Sequence, residues 1–208
     1  IPEYEFVGLA TTSGTTAGQV IKNTEFKYST TDYKKLLEDK DIDLIVVATP
    51  HNTHAKFTVE ALDAGKHVYV EKPLAITIEQ LDEVKAAYER NNQHVFVGFN
   101  RRHSPFAKFI KENMSTVKYP CIIQYTVNAG YIPKEHWTQD PEVGGGRIIG
   151  EVCHFIDLAV FLTGSLPESV NTAAIKGNTD HYSNSDNVSI NLTFKNGSIA
   201  NIIYTAMG

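Results

Sequence analysis

The stretch Asp43-Leu44-Ile45-Val46-Val47-Ala48-Thr49-Pro50-His51-Asn52-Thr53-His54 decides the reading of this chain. Residues 44–48 are continuously apolar and end at Thr49-Pro50, the pattern of a strand covered on both faces in a parallel sheet. Asn52 and Thr53 are natural N-caps for a helix running to Ala64, and Gly65 supplies the left-handed position after it. The pattern then repeats. Residues 67–70 read as a second buried strand that stops at Glu71-Lys72-Pro73. Thr77 with Gln80 makes a capping box for a helix through Asn91, and 94–99 is the next strand.

Working backward, 6–10 reads as a strand, 11–16 as a Thr/Ser/Gly loop, and 17–23 as a short helix. Residues 32–39 carry Tyr33, Leu36 and Leu37 at helical spacing. Strands alternating with amphipathic helices predict βαβ units and one open, mostly parallel sheet. After Asn100 the pattern changes, and the domain boundary is expected there. Val188, Ile190, Leu192 and Phe194 alternate with polar residues, Asn196-Gly197 is a hairpin signal, and 198–205 returns as the partner strand. Residues 121–127 and 168–175 supply further strands, and a helix over 151–163 closes with Gly164. The second half is therefore expected to be an α+β domain on a largely antiparallel open sheet.

The 208 residues are 42% hydrophobic and 21% charged, with 19 Lys+Arg against 24 Asp+Glu. A chain of this size buries roughly 70% of its unfolded surface, which excludes disorder and mini-protein scaffolds. No Lys/Arg block marks a phosphate-backbone footprint, so neither nucleic acid nor a membrane surface is an expected partner. The apolar runs are too short to span a bilayer and no charged-then-apolar leader opens the chain, so the expected location is cytoplasmic. Cys121 and Cys153 lack C-x-x-C spacing and read as free thiols of a reducing compartment.

Ligands of open parallel sheets sit outside the carboxyl ends of the strands. Three segments leave strands there. The loop after the first strand, from Thr11 and Thr12 onward, offers hydroxyls and amides that suit either a phosphate or a plain N-cap. Around His51 and His54 no third ligand stands at metal spacing, so capping with a ligand contact through Asn52 is expected and no metal. Lys72 precedes proline, which keeps the chain extended and projects it from the strand end, where it serves as an acid/base or pairs with Glu71. In the second half, Gly144-Gly145-Gly146 reads as a flexible loop folding over a site. His154 has Gly150 and Glu151 one helical turn back and Asp157 one turn forward, which suits a satisfied helical histidine or a catalytic one.

The blocks Ala48-Thr49-Pro50, Ala64-Gly65-Lys66-His67-Val68, Glu71-Lys72-Pro73-Leu74-Ala75, Val97-Gly98-Phe99-Asn100-Arg101-Arg102 and Gly144 through Leu158 together resemble one family. It is the nicotinamide-dependent family named for glucose-fructose oxidoreductase, inositol dehydrogenase and a rhizopine catabolism protein. The resemblance runs essentially the whole length. It implies a partial Rossmann-like domain over 1–99 that binds NAD or NADP, then a substrate domain over 100–208 that forms homo-oligomers through its sheet. By the same resemblance, Lys72 and His154 are the proton-transfer residues. Thr11, Thr12, Thr49, Pro50, Asn52, His54, Glu71 and Lys72 line the dinucleotide, while Arg101, Trp137, Arg147 and Glu151 meet a sugar or polyol. The implied chemistry is hydride transfer between a C–OH group and the nicotinamide.

Two departures qualify the resemblance. Many members carry Asp four residues before the histidine, where this chain has Gly150, and Glu151 is the expected substitute. Members also begin with a strand and a Gly-rich turn ahead of the strand at 6–10, so the chain is expected to be a piece that binds dinucleotide weakly. Rival readings are redox-assisted elimination or epimerisation of a sugar, and a non-catalytic sensor or interaction module with the same fold.

Overall fold

A computed structural model describes residues 4–13, 18, 20, 21, 24–116, 119–175 and 186–207. The chain divides into two compact units. One comprises Ile1–Thr49, Thr53–Glu71 and Ile78–Val97, the other Pro50–Asn52, Lys72–Thr77 and Gly98–Gly208.

The first unit is built on parallel strands. β1 (Gly8–Ala10) pairs with β2 (Tyr28–Thr30), and α1 (Lys34–Glu38) follows. β3 (Leu44–Val47), β4 (His67–Val70) and β5 (Val95–Val97) form a second parallel ladder in that order. α2 (His54–Asp63) connects β3 to β4, and α3 (Ile78–Arg90) connects β4 to β5. The single sheet expected from sequence is thus two ladders, with no backbone pairing between them among the described residues. β2 was not foreseen, because three residues, Tyr28-Ser29-Thr30, are too few to show a period. Of the helix expected over 17–23, residues 17, 19, 22 and 23 lie outside the described residues; Gly18, Val20 and Ile21 are helical.

The register of the second ladder aligns Ile45 with Val68 and Val47 with Val70, all on one face. Val47, Val68 and Val70 are buried there with Ala55, Ala61 and Leu62 of α2 and Val84 and Ala87 of α3. On the opposite face Leu44 and Val46 are 42% and 63% exposed, and Tyr69 stacks on Phe96 at 5.6 Å. The expectation that β3 is covered on both faces is therefore corrected. A continuous apolar run marks a strand, but the covering layer on each face is set by other segments. Ahead of β4, the buried ammonium of Lys66 donates to the carbonyls of Asp39 at 2.6 Å and Ile42 at 2.7 Å, anchoring the entry to β3.

The second unit is a four-stranded sheet covered by a helix. α4 (Pro105–Ser115) starts at Ser104, whose side chain accepts from the Ala107 amide. β6 (Ile122–Asn128) is followed by a π turn, Ile148–Val152, which runs into α5 (Cys153–Thr163). β7 (Pro167–Ala174), β8 (Val188–Phe194) and β9 (Ile199–Thr205) complete the sheet in the order β6-β9-β8-β7. The β7–β8 and β8–β9 ladders are antiparallel and β6–β9 is parallel. The Asn196-Gly197 hairpin stands as expected: Gly197 has φ +84°, and the Asn196 side chain accepts from the Ser198 amide. Gly164 closes α5 at φ +65°.

The period of two in β8 and β9 decides this core. Ile190, Leu192, Phe194, Ala200, Ile202 and Tyr204 are buried against Val152, Phe155 and Ala159 of the helix layer. Ile202 is 0% exposed and Ile122, across the β6–β9 ladder, is 78% exposed. Ile202→Ala is expected to cost about 2–5 kcal/mol in chemical denaturation and Ile122→Ala within about 0.5 kcal/mol. Equal losses would contradict a core on one face of the sheet.

Candidate functional site

In the first unit the expected cofactor residues gather at carboxyl ends of strands. Thr11 follows β1; its amide donates to the Thr30 carbonyl at 3.1 Å and its hydroxyl to the Ser13 carbonyl at 2.7 Å. Thr12 is exposed, and residues 14–16 of this loop lie outside the described residues. Thr49, after β3, shares a hydrogen bond with the Thr53 hydroxyl at 2.6 Å. Thr53 is the N-cap residue of α2, but its side chain caps no amide, which corrects the expected capping role. His54 is 1% exposed and its Nε2 donates to the Thr49 carbonyl at 2.7 Å. That placement corrects its expected contact with a dinucleotide: the ring holds the turn that presents Thr49.

Glu71 follows β4 and is half-buried, with no partner for its carboxylate among the described residues. An unpaired carboxylate at that edge suits sugar hydroxyls as donors. No acidic residue ends β1, where Thr11 and Thr12 stand, so both a plain ribose and one bearing a 2′-phosphate are compatible with that strand end. These residues fit a dinucleotide. No group of three or more His, Cys, Asp or Glu among the described residues could hold a metal ion.

In the second unit, Pro50–Asn52 and Lys72–Thr77 come together with the later half of the chain. The Asn52 amide donates to the Val143 carbonyl at 3.0 Å. His51, which sequence reasoning left without a role, is buried; its Nδ1 donates to the Gly144 carbonyl at 2.8 Å and its ring meets Trp137 edge-on at 4.8 Å. Gly144-Gly145-Gly146 is a bonded turn. The amides of Gly144 and Gly145 both donate to the Asp140 carbonyl, at 2.8 and 3.0 Å. A Cβ on Gly144 would overlap the Thr138 backbone. Gly144 therefore serves close packing while Gly145 and Gly146 take positive φ, +74° and +79°, in a bonded turn, which corrects the expected flexible loop.

The ammonium of Lys72 donates to the Gly150 carbonyl at 2.7 Å and stands 3.9 Å from the Glu151 carboxylate. Both partners lie in the π turn. Its pairing is thus with Gly150 and Glu151, not with Glu71. Gly150 is buried, and a Cβ there would sit 3.0 Å from Cε1 of His51, a tight approach of backbone and imidazole that a side chain would force apart by a few tenths of an ångström.

His154 follows one turn later, 6% exposed, edge-on to Phe99 at 6.2 Å, its Nδ1 enclosed without a hydrogen bond. Burial, then the Lys72 and Arg101 charges, push its pKa down to about 4, so the ring is neutral at physiological pH. Burial also pushes the adjacent Cys153 thiol up to about 11. Both cysteines are free, as expected, and half-buried.

The arginines divide sharply. Arg102 makes a two-bond pair with Asp157, one bond being Nε to Oδ2 at 2.8 Å. Arg101 lies over the Phe155 ring at 4.6 Å. Arg147 is 2% exposed. Its Nη1 donates to the Gly130 carbonyl at 2.8 Å and stands 3.9 Å from Asp186, and the guanidinium covers Tyr204 at 5.2 Å. The expected substrate contact of Arg147 is corrected on this ground: the guanidinium is enclosed in the core, with Nη1 and Nη2 turned to the Gly130 and Ala129 carbonyls. Trp137 is 43% exposed and accessible. The Gly150 carbonyl as an acceptor and the Arg102–Asp157 pair escaped sequence reasoning; the Arg and Asp at 55 residues' separation leave no local pattern.

A family model described as the oxidoreductase family, NAD-binding Rossmann fold, matches residues 1–99, and the GFO/IDH/MocA C-terminal domain model matches residues 121–207. An uncharacterized oxidoreductase of Bacillus subtilis, YrbE, is 30% identical over 181 residues, 85% of this chain and 52% of the relative. Levoglucosan dehydrogenase of Pseudarthrobacter phenanthrenivorans is 29% identical over 159 residues, 71% of this chain and 40% of the relative. A solved structure of levoglucosan dehydrogenase with NADH and levoglucosan superposes with a TM-score of 0.82 at 25% identity, covering 98% of this chain and 58% of that one. The chain thus spans about half the length of the curated relatives it matches. With its parallel-stranded unit and its helix-covered sheet each matched by one of the family's two domain models, the chain belongs to the GFO/IDH/MocA family of NAD-binding oxidoreductases.

Proposed function

We propose that this chain works as an NAD(P)-dependent oxidoreductase acting on a hydroxyl group of a sugar or polyol. The observation that carries the reading is the Lys72 ammonium, fixed by the Gly150 carbonyl at 2.7 Å and grouped electrostatically with a buried, neutral His154. Similarity to levoglucosan dehydrogenase, whose name specifies a sugar, supports the substrate class. Residues 1–99 hold the dinucleotide through Thr12, Thr49 and Glu71. Residues 100–208 carry the substrate site, and the open face of their sheet, bearing Ile122 and Ile203, mediates self-association. Among the described residues no helix is long and apolar enough to cross a membrane.

The nicotinamide, when bound, supplies the hydride acceptor or donor. The protein supplies orientation and the proton. Lys72 donates a hydrogen bond to the reacting oxygen, and Glu151 balances its charge. His154 takes the hydroxyl proton at Nε2, since Nδ1 is enclosed. A histidine held neutral is ready as a base in alcohol oxidation; in the reverse direction it must first be protonated. Trp137 and Arg101 border the substrate.

Lys72→Ala is expected to abolish turnover on a sugar and polyol panel while leaving NAD(H) or NADP(H) affinity within about twofold, as read by nicotinamide fluorescence. Retained turnover would remove Lys72 from the mechanism, and absence of dinucleotide binding in a chain extended at its N-terminus would overturn the oxidoreductase reading.

The His154 ring is expected to titrate near pH 4 in NMR and to move upward in Lys72→Met. Its folded pKa lies below the ordinary value near 6.5. Stability is therefore retained above pH ~6.5 and falls toward pH ~4, by up to ~1.4 kcal/mol per pH unit. A normal His154 titration in both forms would contradict the proposed environment.

A further inference from the structure

We propose that the substrate, on the reading just given, is a sugar acid, and that Arg101 receives its carboxylate. Of the four arginines, three face a carboxylate: Arg90 with Asp63, Arg102 with Asp157, Arg147 with Asp186. Arg101 has none among the described residues. Its Nε is enclosed and closed to a ligand, while its two Nη groups are not enclosed and carry no hydrogen bond among the described residues. Its guanidinium plane is held over the Phe155 ring at 4.6 Å. Stacking occupies a face of the plane and leaves the in-plane N–H fork for a partner, and a carboxylate fits that fork with two parallel bonds.

The charges around His154 reach the same result. Arg101 and Lys72 both act on that ring, as do Glu151 and Asp157. Asp157 is bound to Arg102, and Lys72 stands by Glu151, so Arg101 keeps the uncompensated positive charge. A neutral sugar would leave it so. A carboxylate would supply acceptors for the two Nη groups and the missing charge beside the proposed proton-transfer pair.

The test is calorimetric titration of the chain with D-glucuronate, the glucuronate methyl ester and D-glucose, repeated for Arg101→Met and Arg101→Lys, with nicotinamide reduction followed separately in the chain extended at its N-terminus. The acid is expected to bind at least about tenfold more tightly than the ester or glucose. Arg101→Met should erase that difference, and Arg101→Lys should restore part of it. The comparison of acid with ester needs no variant, so it holds even if Arg101→Met does not fold. Equal affinity for acid and ester, an unchanged preference in Arg101→Met, or no binding of any of the three would overturn the proposal. Tight, Arg101-dependent binding of the acid without nicotinamide reduction by any sugar would overturn the oxidoreductase reading and leave the carboxylate site standing. Turnover of neutral sugars as good as that of acids would do the reverse.

Discussion

An ammonium group withdrawn from water must be given oxygen, and Lys72 receives it from the carbonyl of Gly150, 78 residues further along the chain. A carbonyl has two lone pairs, and the widened π turn Ile148–Val152 leaves one for the lysine. The absence of a side chain at position 150 lets the imidazole of His51 pack close to this backbone. His51 packs within 3.0 Å of where a Cβ would stand, and His51 is itself tied to the Gly144 carbonyl at 2.8 Å. One hydrogen bond thus links Lys72 to the turn that leads into α5, a second links His51 to the glycine turn, and the proposed proton-transfer pair rests on the first.

The electrostatics follow from that link. Burial keeps the His154 imidazole neutral, and the charges of Lys72 and Arg101 act in the same direction. The same crowding of positive charge requires compensation, and each compensating group has a distinct place. Asp157 takes Arg102, Glu151 stands 3.9 Å from Lys72, and Asp186 lies by Arg147 in the core. Arg101 is the exception, stabilised by an aromatic face instead of an anion. At position 150, where the family resemblance implies an acid, this chain has a backbone carbonyl in contact with the lysine. A carbonyl can hold an ammonium in place, yet it cannot relay a proton, so in the proposed mechanism proton movement is assigned to His154.

Local patterns in the sequence carried most of the fold. The alternation in β8 and β9, the Asn196-Gly197 turn and the Gly164 helix stop depend on neighbours in the chain, and each is found where it was read. What sequence could not convey was pairing over distance. The run at 44–48 identified β3 but not the exposure of Leu44 and Val46, because the covering layer is set elsewhere. Among the site residues, Lys72, Glu151 and His154 were legible from Glu71-Lys72-Pro73 and the block after the triple glycine, and the structure groups them. Arg147 and His54 were misread for a common reason: a polar residue type announces hydrogen bonding, and only packing decides whether its partner is a ligand or the protein's own carbonyls.

The central claim is that Lys72 and His154 act on one reacting oxygen as a unit. A double-mutant cycle on the rate of sugar oxidation tests this directly, with Lys72→Met, His154→Gln and the two combined. A unit predicts that the double variant loses little more than the worse single one, since removing either group already disables the proton transfer. Losses that multiply across the two changes would show that the groups work independently and would contradict the account.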